Sequence, residues 1–255
     1  AYLLRHTCTV RKRAPAVTAR FARRQHIAGI RYNRFVEALR FLKTPPATVA
    51  AEIAYDRALM SAVACGAAPA TLRFYHCRDE AVVVGIAQRA EDHVDSAACA
   101  ADGVSVLQRF SGGGTVLICR GCLVYSLIMP HSTALKPFDV NGAYRYALTP
   151  VVDALRRRGI PATFEAPCDV AVASRKIAGN AQAQKRGVVL VHGCFLVDAD
   201  VERIARYLPE PRVAPAYRAG RPHRQFLCNT TTLGIGMKAL RHLLRSAWCN
   251  AVSTA

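Results

Sequence analysis

Three consecutive glycines, Gly112 to Gly114, stand between two apolar runs in the stretch "QRFSGGGTVL" from Gln108 to Leu117. Glycine costs roughly 0.5–1 kcal/mol relative to alanine in regular structure, so a triple run inside a folded segment requires a reason. A tight hairpin is one reason. The other is a backbone that approaches a ligand: successive N–H groups in a glycine turn form a concave anion site, and without Cβ atoms a phosphate or carboxylate reaches them directly. Arg109 and Ser111 place a positive charge and a hydroxyl beside that turn. The stretch has neither the spacing and Lys-Ser/Thr ending of a P-loop nor the pattern G-x-G-x-x-G, so hairpin and anion site both stay open.

The surrounding chain is organised by short apolar runs bounded by turn signals. "TLRFYHC", "AVVVGIA", "VSVLQRF", "TVLICRG" and "CLVYSLIMP" read as strands or strand pairs, and "DVAVAS", "RKIAGNAQAQKR" and "GVVLVHGCFLVD" form a second set. Between and around them lie helical patterns. Thr48 caps a helix through "AEIAYDRALMSAVACG", with Ala51, Tyr55, Leu59 and Ala62 on one face. "VNGAYRYALTPVVDALRRRG" carries Val140, Tyr144, Leu148, Val151 and Leu155 at helical spacing and ends at Gly159 despite Pro150. Asp200 to Leu208 and Met237 to Trp248 also read as helices. Strand sets mixed with single helices predict an α+β fold on a mixed, mainly antiparallel sheet flanked by helices.

At 255 residues, 52% of them hydrophobic, the chain is long enough to bury the core of one domain. No apolar run reaches the ~18 residues needed to span a bilayer, and no membrane partner is expected. Ten cysteines without a secretory signal point to reduced thiols and a cytoplasmic location. Cys119 and Cys122 form the one CxxC, "CRGC"; with no second pair to complete a zinc site, small buried side chains at a turn are the expectation, and no metal site is assigned.

The net charge of +18 is unevenly placed: residues 1–43 hold eleven Lys or Arg against Glu37 alone, a net +10 that leaves +8 for the remainder. Residues 1–46 are therefore expected to be a basic leader that is disordered or not part of the fold, with an organellar transit peptide or a nucleic-acid-binding arm as alternatives, and 47–250 the folded domain. A nucleic-acid partner is not expected for the domain itself.

A second constellation lies in "CDVAVASRKIAGNAQAQKRGVVLVHGCFL". Lys176 opens a strand, across a turn from Asp169. A lysine at a strand start is commonly a solvated edge residue. Paired with a remote anion-binding loop, it becomes a candidate clamp for a carboxylate or phosphate, a point charge on a long stem.

In order, "RFSGGGTV", "LVYS", "CDVAVASRKIAGNAQ" and "VHGCFL" resemble the blocks of the lipoate-protein ligase A family, within the biotin and lipoate ligase group that also holds octanoyltransferases. The resemblance runs from about Leu72 to Leu196. It implies a class II synthetase-like catalytic domain in which the lysine matching Lys176 contacts the acyl carbonyl and phosphate. The implied substrate- and ATP-binding residues are Arg109, Ser111, Gly112, Gly113, Gly114, Asp169, Gly179, Asn180, His192 and Gly193. It implies ATP with Mg²⁺, activation of lipoate or octanoate to an acyl-adenylate, and transfer to a lysine of a lipoyl domain of 2-oxoacid dehydrogenase complexes or the glycine cleavage H protein.

Departures from the family pattern sharpen an alternative. Gln108 stands where a first arginine is usual, Ile118 and Cys119 where many ligases have His-Asp, and Cys194 where Thr is frequent after "HG". Little chain follows Leu208 to form the family's accessory domain, so a separate accessory subunit is an expected partner. Cys168 replaces the common Asn before Asp169, and a cysteine near a lysine is a candidate nucleophile for an octanoyltransferase that draws its acyl group from a carrier protein, its thiol pKa lowered by the adjacent cation.

Overall fold

The computed structural model describes residues 6–7, 39–131, 139–211 and 213–253. Its larger sheet has eight strands in the order β1-β2-β3-β7-β11-β10-β9-β8: β1 His6–Thr7, β2 Arg40–Lys43, β3 Thr71–Tyr75, β7 Cys122–Pro130, β8 Ala162–Glu165, β9 Asp169–Val172, β10 Arg175–Lys185 and β11 Val188–Leu196. A second sheet of three strands runs β5-β4-β6, with β4 Ala81–Val84, β5 Ser105–Gln108 and β6 Val116–Ile118. Only β2–β3 and β4–β5 pair in parallel, so the sheets are mixed and mainly antiparallel, as the strand patterns predict.

Strands β7 and β11 are buried along nearly their whole length because both faces of the large sheet are covered. Helices α4 (Val140–Arg156) and α7 (Met237–Ser253) pack on one face, where Tyr125, Phe195 and Trp248 meet. The opposite face carries the small sheet with α3 (Ser96–Ala101) and α5 (Val201–Tyr207), and α1 (Val49–Ala64) beside them. Short helices α2 (Ala90–His93) and α6 (His223–Phe226) lie in the connections. Helix α4 continues through Pro150, which is itself buried among Leu148, Val151 and Leu155; tertiary packing outweighs the lost backbone bond.

Two expectations are corrected. The boundary between leader and domain at residues 46 and 47 falls inside the fold: β2 pairs with β3, and β1 pairs with β2. Leu39 and Leu42 are buried and Phe41 stacks against Phe74 at 5.8 Å, so apolar side chains among the basic ones extend the core edge to residue 39. The rest of the expected leader lies outside the described residues. Helix α1 starts as predicted, with Thr48 Oγ1 accepting the Ala51 N–H at 3.3 Å, but Ala51 and Tyr55 face solvent. Its inward face is Val49, Glu52, Asp56, Leu59, Met60 and Val63. Two carboxylates are held there because the fully buried Arg73 of β3 donates to Asp56 Oδ1 at 2.7 Å and to Glu52.

Cys119 and Cys122 bracket the β6–β7 turn as small buried side chains, their Sγ atoms 3.7 Å apart. Among the described residues no helix is long and apolar enough to cross a membrane.

Candidate functional site

Strands β9 and β10 form a hairpin whose pairing slips between Lys176 and Ala178. Such a bulge re-aims a side chain relative to the regular alternation. Here Lys176 Nζ reaches Asp169 Oδ1 at 2.8 Å, and its chain lies over Gly179, where a Cβ would stand 2.8 Å from Nζ. Asp169 is held from the other side by the Tyr217 hydroxyl at 2.8 Å. Burial would lower the Lys176 pKa, but the Asp169 carboxylate outweighs it and raises the value, so the side chain is a fixed ammonium.

Cys168 immediately precedes this pair. Its Sγ lies 3.9 Å from Asp169 Oδ1, and its carbonyl accepts from Asn180 Nδ2 at 2.6 Å. Asn180 Oδ1 in turn accepts the Tyr125 hydroxyl at 2.6 Å, and the amide fits because its partner across the strand pair is Gly193, which has no side chain to collide with it. The expected lowering of the Cys168 pKa is reversed: burial and the Asp169 charge push the thiol up, and Lys176 only partly offsets them. The cation is engaged by the carboxylate next door.

The glycine stretch closes the site from the other side. Arg109 is buried with no carboxylate partner among the described residues and is solvated by the chain: its guanidinium donates to Gly112 O at 2.6 Å, Gly114 O at 2.7 Å, Val83 O at 3.2 Å and Ser111 Oγ at 2.9 Å. Burial lowers its pKa to about 10, which leaves it charged at neutral pH. Gly112 N–H bonds Gln182 O of β10 at 3.0 Å, which seats the loop on the large sheet. Gly113 has φ +86° and lies against the Asn180–Ala181 backbone, a conformation and a fit that favour glycine. With the Gly112 and Gly114 carbonyls turned to Arg109, the Gly113 and Gly114 N–H groups have no acceptor among the described residues.

A cavity of about 300 Å³ joins these elements, at the lower end of the usual range for small-molecule sites (~300–1,000 Å³). Arg109 and Gly114 of the loop, Cys168, Asp169, Lys176, Gly179 and Asn180 of the hairpin region, and His192 and Gly193 of β11 all line it. Ser111, Gly112 and Gly113 do not; they stand behind the wall and hold it. Much of the remaining wall is apolar, including Ile53, Val83, Leu117, Leu196 and Phe226. The arrangement is a greasy chamber with the Cys77, Cys168 and Cys194 thiols, the Lys176 ammonium and the Gly114 backbone along its wall, suited to an acyl chain whose carbonyl develops negative charge. Asp169 lines the cavity while engaged by Lys176 and Tyr217.

Sequence reasoning missed Tyr217 and Arg218, although both stand in a Pro- and Gly-punctuated stretch, "PAYRAGRP", a composition typical of functional loops. It also missed Asp56 and Arg73, whose charges gave no sign of being inside. Among the described residues, no group of three or more His, Cys, Asp or Glu side chains is placed to hold a metal ion.

Residues 48–230 match the model of the lipoyl protein ligase A/B catalytic domain family. An octanoyltransferase LipM from Exiguobacterium sp. (strain ATCC BAA-1283 / AT1b) is 33% identical over 184 residues, covering 63% of this chain and 66% of that protein, just under two thirds of its length. Two solved structures share the fold at 24% identity. A lipoate-protein ligase A bound with ATP superposes with a TM-score of 0.71, covering 84% of this chain and 85% of that one. A chain from a structural analysis of a bipartite lipoate protein ligase and its E2 lipoyl domain from Thermoplasma acidophilum gives 0.69 with coverages of 84% and 83%. The ordered blocks, the mixed sheet and the family match over most of the chain agree: the chain belongs to the lipoyl protein ligase A/B catalytic domain family.

Proposed function

We propose that the protein is an octanoyltransferase that carries a medium-chain acyl group as a thioester on Cys168 and delivers it to a lysine of a lipoyl domain. The observation that carries this reading is the Cys168 thiol on the wall of an apolar cavity, beside the Lys176 ammonium. In the first half, the Cys168 thiolate attacks the carbonyl carbon of an octanoyl thioester on a carrier; the carrier's C–S bond breaks, and its thiol leaves with the proton that Cys168 lost. In the second half, the acceptor lysine's amine attacks the Cys168 thioester, an amide forms, and the amine's proton returns to the sulfur. Both halves pass through an oxyanion, which Lys176 and the free Gly114 N–H would stabilise. Acceptors of this kind are lipoyl domains of 2-oxoacid dehydrogenase complexes or the glycine cleavage H protein.

A second reading is ATP-dependent ligation of lipoate or octanoate through an acyl-adenylate, favoured by the fold shared with an ATP-bound ligase. Lys176 and the same N–H donor suit an adenylate phosphate. Mg²⁺ is not matched by ligands among the described residues and would travel with the nucleotide. A separate accessory subunit belongs to this reading. Incubating the chain with octanoyl-carrier protein and an apo lipoyl domain, without ATP, separates the two by mass spectrometry. Octanoylated lipoyl domain and an acyl adduct on Cys168 are expected; modification that requires ATP and free acid would establish the ligase instead.

Under either reading, Lys176→Ala is expected to lower kcat by roughly 10²–10³-fold, the scale for one lost transition-state donor. Because Lys176 is half-buried and paired, a stability loss of about 1–3 kcal/mol in urea melts should accompany it, as Asp169 loses a partner. Wild-type turnover in this variant would remove Lys176 from the chemistry.

The raised thiol pKa sets a pH dependence. At neutral pH the thiolate is the minor form, so the rate of Cys168 alkylation by iodoacetamide should climb with pH through and beyond the ordinary thiol range near 8.5. Asp169→Asn removes the repelling charge and should move that climb to lower pH. A profile that stays in place would show that burial alone sets the pKa.

A further inference from the structure

Four side chains, of which Arg109 and His192 line the cavity while Ser111 and Asp56 stand behind it, form one hydrogen-bonded line. Arg109 Nε donates to Ser111 Oγ at 2.9 Å, Ser111 Oγ meets His192 Nε2 at 2.7 Å, and His192 Nδ1 lies 3.4 Å from Asp56 Oδ2. All four residues are buried. Their protonation pattern follows from donor counting. Arginine has donors only, so Ser111 Oγ accepts from it; the Asp56 carboxylate only accepts, so His192 turns an N–H on Nδ1 toward it, and in the neutral ring Nε2 takes the Ser111 hydrogen. That nitrogen is then an acceptor, and the ring's hydrogen sits on Nδ1, pointing at the carboxylate. Asp56 Oδ2 also accepts the Ser126 hydroxyl at 2.6 Å, and Oδ1 takes the Arg73 donor at 2.7 Å. The carboxylate is thus fixed, ionised and oriented.

A serine, histidine and aspartate in this order resemble a nucleophilic triad. Ser111 is not placed to act as a nucleophile: it is fully buried, it does not line the cavity, and the Arg109 guanidinium donates to its oxygen. The line ends instead on Arg109, which turns the Gly112 and Gly114 carbonyls inward. We propose that Asp56 is a positioning residue for the glycine loop, acting through the His192 tautomer and Ser111 on Arg109, and so on the aim of the Gly114 N–H at the reacting carbonyl. The inference deepens the acyl-transfer reading and rests on it for its kinetic consequence; the tautomer does not depend on that reading.

The test uses the full chain with ¹⁵N-labelled histidine. Two-bond ¹H–¹⁵N spectra, assigned with His192→Gln, should show His192 as the Nδ1–H tautomer. Asp56→Asn should shift it toward Nε2–H and lower kcat for octanoyl transfer by about 10²-fold, the scale of a small misplacement of reacting groups, with KM within about twofold. Glu52→Gln removes a charge from the same buried cluster without touching the line, and should keep the Nδ1–H tautomer. If Asp56→Asn does not fold, Ser111→Ala cuts the same line one link further on and should lower kcat to a similar degree with KM unchanged. An Nε2–H tautomer in the wild type, or kcat in Asp56→Asn no lower than in Glu52→Gln, would overturn the proposal. A wild-type chain with the Nδ1–H tautomer and no ATP-independent transfer would overturn the acyl-transfer reading and leave the geometry of the line standing.

Discussion

Replacing Cys168 by serine is expected to lower ATP-independent octanoyl transfer by on the order of 10⁴–10⁶-fold, the cost of removing a covalent nucleophile from a site that depends on it. Serine keeps the shape but raises the pKa of the attacking group far beyond reach, and among the described residues the groups hydrogen-bonded to Cys168, Asp169 and Asn180, include no histidine to take its proton. The acyl adduct seen by mass spectrometry should vanish with the activity, while the urea midpoint should hardly move, because a partly exposed thiol makes few contacts that a hydroxyl cannot keep. A serine variant that still modifies the lipoyl domain when given ATP and free acid would assign the chemistry to an adenylate.

Arg73→Met should produce the largest loss of stability, about 3–5 kcal/mol, because it leaves Glu52 and Asp56 ionised in the interior without their cation. Equilibrium urea unfolding should show a lower midpoint at unchanged slope. The sign of the pH dependence follows from the carboxyls. In the wild type, burial raises the Asp56 pKa, but the His192 hydrogen bond and the Arg73 charge outweigh it, and the value ends below the ordinary carboxylate range. Such a group contributes stability above its unfolded value, near 3.8, and loses it as pH falls through the folded value. Without Arg73 the Asp56 carboxyl is pushed up by burial instead, so the gap between variant and wild type should be widest at neutral pH and narrow on acidification. Adding Glu52→Gln to Arg73→Met should recover part of the loss.

The readable parts of the fold were those whose local chemistry agrees with their tertiary role. The apolar runs around Val83, Leu117, Leu127 and Val191 are bounded by turn residues and became the strands expected of them. The glycine turn and Lys176 could be paired in advance because each is costly or unusual where it stands. Helix α1 shows the opposite case: its inward face carries Glu52 and Asp56, and charged side chains mark a solvent face unless the partner is known, which here lies in β3. Strand β2 was hidden for a related reason, since Arg40 and Lys43 mask Leu39, Phe41 and Leu42. The bulge between Lys176 and Ala178 leaves no trace in residue type, so the ion pair with Asp169 could be suspected but not its geometry. Gly85 read as part of an apolar run, and only the packed structure shows the Gly113 carbonyl lying where its side chain would be.

The guanidinium of Arg109 acts on the glycine run as a rivet acts on a hinge. Three residues that would sample many conformations in a free chain are locked by donors reaching Gly112 O and Gly114 O from one rigid fork. Their disorder is therefore lost once, when the protein folds, and not again each time a ligand arrives. A binding surface prepared in this way needs no slow closing motion of the loop before capture, and its encounter rate is left to diffusion and to the fit of the incoming chain.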